Sequence, residues 1–471
     1  MSSLKFGTSG LRGLVTDLVG WPSYAYASAF FRSVAAANGD CRTVVVGRDL
    51  RDSSMDIAAT VANAAAANGF KAIDCGALPT PALALEAMRL RACAIMVTGS
   101  HIPEDRNGLK FYLPDGEITK ADEAAIIGAL GKFEIDGRIM EVPASVETEV
   151  SKRYLKRYID AFSSDALSGL RIAVYQQSSV ARDLLTELLA ALGAKGVPIG
   201  WSATFVPIDT EAHRPEDVDF IRNVMAGGEF DALVTTDGDA DRPLVADGKG
   251  RIVRGDVLGM LTARYLRIET IVVPVTAGSR LVRAGSFRDV IRTKVGSPFV
   301  IAGMEHMKQS GRTSIGGFEA NGGFLLGSNI IMSGGILCAL PTRDAILPIL
   351  ATLAAARSGS MALDCLVSSL DVGETASDRL SNISSERSGA LLKQLSMMPA
   401  VRQFLAPIGI PTAINQQDGI RIELNGGRTI HFRASGNAPE LRCYAEASTA
   451  AEAQGLVSWG LAAAAAAIKS A

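Results

Sequence analysis

Short runs of β-branched and apolar residues alternate with alanine-rich helical stretches along most of this chain. That alternation restricts it to an α/β fold with mainly parallel strands. Residues 43–46 read as a strand followed by a helix over 54–68, and residues 94–97 as a strand ending in a Gly-Ser turn. A helix over 152–162 precedes a strand over 171–175 and a helix over 181–192, and the series repeats from the apolar 270–275 to Ile315. Units of about a hundred residues, three in succession, fit this pattern, although no residue-level repeat is visible. Residues 420–424 and 428–432 then form a hairpin around Asn425-Gly426-Gly427, with a strand over 442–447 and a closing alanine-rich helix. Such a turn sequence between alternating runs marks antiparallel pairing. The expected architecture is three similar αβ domains with mixed, mainly parallel sheets, then a smaller α+β domain, all around a central cleft. The expected divisions are residues 1–146, 147–251, 252–366 and 367–471.

The densest chemistry lies in Thr235-Thr236-Asp237-Gly238-Asp239-Ala240-Asp241-Arg242, directly after the apolar 230–234. An acidic loop at the carboxyl end of a buried strand is where α/β folds place ligands. Alternate carboxylates supply hard oxygen ligands suited to Mg²⁺, and Arg242 adds a fork for a phosphate oxygen. A calcium loop of the EF-hand kind needs Gly at its sixth place and Glu at its twelfth; here Arg242 and Gly248 stand there. The competing reading is a solvated acidic turn, although three clustered like charges call for something that neutralises them.

Three further loops carry weaker signals. Val97-Thr98-Gly99-Ser100-His101-Ile102-Pro103 would expose a hydroxyl on a tight turn next to an imidazole, as a phosphoryl carrier requires. A structural turn serine is the plain alternative, and Lys110, which could supply a cation, would by itself read as a surface residue. Glu319 and Asn321 alternate in the glycine-rich run from Gly316 to Phe324 and could meet neighbouring sugar hydroxyls; a flexible turn is the alternative. His431 to Arg442 places Arg433 before Ser435-Gly436-Asn437, a turn whose backbone N–H groups make an anion-binding concavity. An Asx cap would use the same asparagine.

Together these loops resemble the α-D-phosphohexomutase family, whose four domains carry one such motif each in this order. The opening Phe6-Gly7-Thr8-Ser9-Gly10-Leu11-Arg12-Gly13 is similar to the family's amino-terminal signature. The resemblance implies that Ser100 carries the phosphoryl group, with His101 beside it. It implies that Asp237, Asp239 and Asp241, with an oxygen on Ser100, hold one Mg²⁺ per chain. Arg12, Lys110 and Arg242 match positions near the transferring phosphoryl group. Glu319 and Asn321 would contact sugar hydroxyls, and Arg433, Ser435, Gly436, Asn437 and Arg442 the phosphate that is not reacting. The chain departs from the family at three places. Gly99 and Ile102 stand where Ala and Asn are frequent, Asn321 and Gly323 where the sugar loop often has Ser and His, and Ser297 where a His often follows the glycine matching Gly296.

The implied activity is interconversion of a hexose 6-phosphate and 1-phosphate, mannose first, with a hexose 1,6-bisphosphate as intermediate and activator. Within the family the alternatives are a glucose phosphate or an N-acetylglucosamine phosphate substrate. From other classes, a Mg²⁺-dependent phosphatase would lack a use for Ser100, and a non-catalytic sugar-phosphate binder would lack a use for the metal loop. Composition agrees: 48% hydrophobic and 20% charged residues describe a globular protein, and 471 residues exceed one core. A net charge of -2 gives no field to recruit nucleic acid or an acidic membrane surface. The six scattered cysteines form no C-x-x-C pair, and the apolar stretches are too short to span a bilayer. A cytoplasmic monomer or dimer with a hexose phosphate as its partner is expected.

Overall fold

The computed structural model describes residues 2–7, 10–35, 41–131, 145–284, 287–435 and 440–470. Its first three sheets repeat one topology. In the first, Thr43–Arg48 pairs in parallel with Lys71–Ala77 on one side and Cys93–Val97 on the other. Cys93–Val97 then turns back into the antiparallel Arg106–Leu113, followed outward by Leu11–Leu14. The second sheet places Arg171–Gln177 between Lys195–Trp201 and Ala232–Thr236, both parallel, with Pro243–Asp247 antiparallel beyond. The third repeats this with Thr270–Pro274 between Asp289–Thr293 and Ile315–Phe318, then Phe324–Leu326 antiparallel. The repeat invisible at residue level is therefore a repeat of strand order.

The expected elements form with small shifts at their ends. The fully buried strands Cys93–Val97, Ala232–Thr236 and Thr270–Pro274 are continuous apolar or threonine runs because helices and neighbouring strands cover both faces. The Asn425-Gly426-Gly427 turn forms a short 3₁₀ turn with Gly426 and Gly427 both at positive φ, joining Ile420–Leu424 to Thr429–Ala434. Ile252–Val253 is an edge strand of the second sheet, and residue 366 falls inside the helix Leu363–Ser368.

Apart from a two-stranded ribbon of Ile330–Ile331 with Ile336–Leu337, one large sheet remains; this fourth sheet is wholly antiparallel, in the order Glu374–Ser381, Glu440–Ala447, Thr429–Ala434, Ile420–Leu424, Pro411–Asn415. Its core, with Leu391, Val401, Ile430, Phe432 and Val457, is separate from the core that joins the first three sheets through Tyr154, Tyr158, Leu188, Leu258 and Leu350. The fourth sheet meets the third through polar contacts: Glu446 accepts from the backbone of Ser279 and Arg280, and Asp418 from that of Val295. No helix of the described residues is long and apolar enough to cross a membrane.

Candidate active site

The repeated topology places three loops equivalently. Residues 98–105, 237–242 and 319–323 each link the third strand of a sheet to its antiparallel return, and they converge on one cavity of about 660 Å³. Arg12, His101, Arg242, Glu319, Asn321 and Arg343 line it, together with Arg433, Ser435 and Arg442 on the side of the fourth sheet. Gly436 and Asn437 lie outside the described residues, as do Thr8 and Ser9 of the amino-terminal motif.

Ser100 is buried and held at φ 56°, a left-handed conformation that a serine adopts only when its surroundings enforce it. The enforcing groups are clear. Its backbone N–H donates to Thr98 Oγ1 at 2.8 Å, and Thr98 in turn donates to Asp49 at 2.7 Å. Arg51 lies beneath the turn and donates to the carbonyls of Ser100, Ile102, Pro103 and Arg106, while its Nε pairs with Asp49 at 3.1 Å. A Cβ on residue 99 would come 2.6 Å from the Arg51 Cζ, which explains a glycine where the family often has alanine.

The hydroxyl of Ser100 donates to Asp237 Oδ2 at 2.6 Å, so the phosphoryl-carrier candidate touches the acidic loop directly. Asp237 Oδ1 accepts from the backbone of Asp241 and Arg242, which folds the loop back on itself. Lys110 is buried between Asp239 and Asp241, 2.6 Å from each, and is not the surface residue its local sequence suggests. Thr80 donates to Asp239 as well. The three aspartates offer oxygens within 4.8 Å of one another, and the second oxygens of Asp239 and Asp241 are buried with no hydrogen-bond donor. Buried carboxylate oxygens without donors, in a set of hard ligands, fit a small divalent cation such as Mg²⁺. Burial and then Asp239 and Asp241 push the Asp237 carboxyl well up, whereas for Asp241 burial is outweighed by Arg343, Lys110 and Arg242, which pull it well down.

His101 Nδ1 sits 3.0 Å from Arg242 Nη1 and 3.3 Å from Ser100 Oγ. A guanidinium only donates, so this nitrogen accepts. Burial, then Arg242 and Arg12, keep the ring neutral. Its geometric role is to aim Arg242. Arg12, on Leu11–Leu14, forms no ion pair with the described residues; burial together with Arg242 and Arg343 lowers its pKa to about 10. A half-buried guanidinium that lines the cavity beside other cations, without an ion pair to the described residues, is an anion site.

Glu319 and Asn321 occupy a tight turn in which Asn321 Oδ1 accepts from Gly323 N and Thr210 Oγ1 donates to the Asn321 carbonyl. Arg433 pairs with Asp418 at 2.8 Å, and Arg442 Nε is buried without a hydrogen-bond partner among the described residues. Three groups escaped the motif reading: Asp49 with Arg51, Thr80, and Arg343. A charged residue interrupting an apolar surrounding, as in Thr342-Arg343-Asp344 before the apolar helix Ile346–Ser358, was the signal available for the last.

Family profiles described as phosphoglucomutase/phosphomannomutase match residues 3–134 (alpha/beta/alpha domain I), 254–371 (alpha/beta/alpha domain III) and 386–458 (C-terminal domain). The chain is 46% identical over 467 residues to a phosphomannomutase of Sinorhizobium fredii, covering 97% of this chain and 98% of that protein. It is 41% identical over 460 residues to a phosphomannomutase of Salmonella muenchen, covering 97% and 94%. A crystal structure of a phosphoglucomutase/phosphomannomutase family protein from Burkholderia thailandensis shares the fold, with TM-score 0.75 at 21% identity over 97% of each chain. With its loops in the family's order on one cleft and identity running almost end to end, this chain belongs to the α-D-phosphohexomutase family of phosphosugar mutases.

Proposed function

We propose that the protein is a Mg²⁺-dependent phosphomannomutase, interconverting mannose 6-phosphate and mannose 1-phosphate. The observation that carries this is the Ser100 hydroxyl 2.6 Å from Asp237, inside a cluster of three buried carboxylates, with the Arg12 guanidinium lining the same cavity as His101 and Arg242. The names of the relatives from Sinorhizobium fredii and Salmonella muenchen support mannose. Ser100 carries the phosphoryl group and passes it to a sugar oxygen. Asp237, Asp239 and Asp241, with an oxygen of phosphorylated Ser100, would hold one Mg²⁺, which supplies charge neutralisation at the transferring phosphoryl oxygens. Arg12, Lys110 and Arg242 balance the rest of that charge, and His101 keeps Arg242 aimed.

Glu319 and Asn321 take the sugar hydroxyls. Arg433, Ser435 and Arg442, with Gly436 and Asn437, take the phosphate that is not reacting. The bisphosphorylated sugar must turn end for end before returning its other phosphoryl group to Ser100. A fourth domain with its own core and a polar seam to the third supports such opening without loss of fold. Hexose 1,6-bisphosphate is the activator because it phosphorylates Ser100. Six scattered cysteines without a C-x-x-C pair support a cytoplasmic setting, and a monomer or dimer suffices for a site built within one chain.

The test is a set of initial rates with mannose, glucose and N-acetylglucosamine phosphates, each with its bisphosphate. The highest kcat/KM should fall on mannose. Preference for another sugar would overturn the substrate, and no mutase rate on any of the three would overturn the whole reading.

A further inference from the structure

Arg343 belongs to none of the sequence motifs, yet its guanidinium sits where they meet. Its Nη2 and Nε donate to Asp241 Oδ2 at 2.8 and 3.1 Å, and its Nη1 donates to Glu319 Oε2 at 2.9 Å. The same Nη1 donates to Ser297 Oγ at 3.2 Å, and Ser297 donates to Glu117 at 2.8 Å. The side chain is 3% exposed and still borders the cavity. Its backbone is fixed from behind, because the next residue, Asp344, accepts from the hydroxyls of Tyr154 and Tyr158.

Space for this guanidinium is left by two small residues. A Cβ at Gly323 would come 2.8 Å from Arg343 Cδ and 2.8 Å from the Asp241 carbonyl oxygen. Ser297 provides only a hydroxyl where a larger side chain would enter the same volume. These are the two positions at which the chain departs from the imidazoles frequent in its family, and one buried cation borders both.

We propose that Arg343 is a positioning residue that couples the metal loop to the sugar loop; this rests on the mutase reading above. One arm of its fork holds Asp241 Oδ2, leaving the oxygen without a donor to face the cation. The other arm holds Glu319 Oε2, leaving Oε1 for a sugar hydroxyl. Lysine cannot replace it, since a single ammonium does not reproduce a planar fork with several fixed donors. Because both carboxylates share one rigid group, displacement of either reaches the other, and cation and sugar affinities are linked reciprocally.

The experiment uses the full chain with Ser100 unphosphorylated and no bisphosphate present, so that binding is read without turnover. Calorimetry gives Mg²⁺ affinity with and without mannose 1-phosphate, and mannose 1-phosphate affinity with and without Mg²⁺. In that background Arg343→Met should weaken both ligands, Mg²⁺ by roughly 10- to 100-fold as for other residues that orient metal ligands, and should abolish the linkage between them. Arg343→Lys should recover one affinity but not both. A folded Arg343→Met variant in which either affinity stays within about twofold of its parent overturns the coupling. If Arg343→Met does not fold, Gly323→Ala, whose new methyl displaces the guanidinium, must show the same double loss, and normal binding there overturns it equally. An unphosphorylated parent that binds neither ligand overturns the mutase reading and this inference with it.

Discussion

Replacing Arg51 by methionine keeps the length of the side chain and removes the fork beneath the Ser100 turn. The guanidinium donates to four backbone carbonyls of that turn and to Asp49, and it stacks on Phe205 with its Cζ 3.8 Å from the ring centroid. Arg51 and Asp49 side chains are both 0% exposed, so the change strands a buried carboxylate. Removing one member of a buried pair costs about 3–5 kcal/mol, or roughly 10²- to 10⁴-fold in the equilibrium between ordered and disordered turn. The Asp49 carboxyl, already raised by burial, has one escape, which is to take up a proton. The folded state then binds a proton that the unfolded chain has released, so the variant should lose stability as pH rises from the ordinary carboxylate range through the raised value. Intact mass after incubation with hexose bisphosphate reads phosphoserine occupancy, and hydrogen exchange of the peptide spanning residues 98–106 reads the turn. Occupancy should collapse and exchange should accelerate while Mg²⁺ affinity changes little. Normal occupancy and normal exchange in Arg51→Met would refute the argument that this fork holds Ser100 in its left-handed conformation.

Ser100→Ala should abolish turnover with little change in melting temperature, and the parent protein should show a phosphate-sized mass increment on the peptide containing Thr98 to Pro103; near-normal turnover in the variant would refute the carrier role. EDTA should remove activity, and Mg²⁺ should restore it better than Ca²⁺, which prefers longer and looser coordination; full activity in EDTA would leave the acidic loop without a cation. Arg433→Ala should raise KM by roughly ten- to a hundredfold, the worth of a charge-assisted bond, and raise the demand for bisphosphate, whereas unchanged values would place the phosphate elsewhere. His431 is buried with its Nε2 on the Asp418 carbonyl, and burial lowers its pKa from 6.5 to about 4. The unfolded state therefore binds the extra proton between these values, and stability that is complete above pH 6.5 should fall by about 3 kcal/mol on acidification through pH 4. Urea unfolding of the parent and of His431→Gln at pH 7.5 and pH 5 checks this, and equal pH sensitivity in both would refute it.

Local chemistry was legible in the sequence wherever it was contiguous. The acidic loop, the Ser100 turn, the Glu319 loop and the Arg433 turn each place their functional groups within a short window, and strand or turn residues mark where each window begins. Strand order, by contrast, emerges only when non-adjacent segments pair, which is why the threefold repeat left no residue-level trace. Most of the supporting groups were illegible for the same reason, and Lys110 was reached only through the family resemblance. Arg343 meets Asp241 across 102 residues, Thr80 meets Asp239 across 159, and Lys110 meets Asp241 across 131. Nothing around Lys110 in the chain distinguishes it from a solvated lysine; two carboxylates brought from another sheet make burial of its ammonium tolerable. Gly99 and Gly323 looked like departures from a family pattern until the tertiary structure placed Arg51 and Arg343 against them. The sequence determines which loops carry the chemistry, because backbone conformation and hard-ligand spacing are local properties. The tertiary structure decides which charges neutralise them, because electrostatic partners in a buried site are chosen by proximity in space and not along the chain.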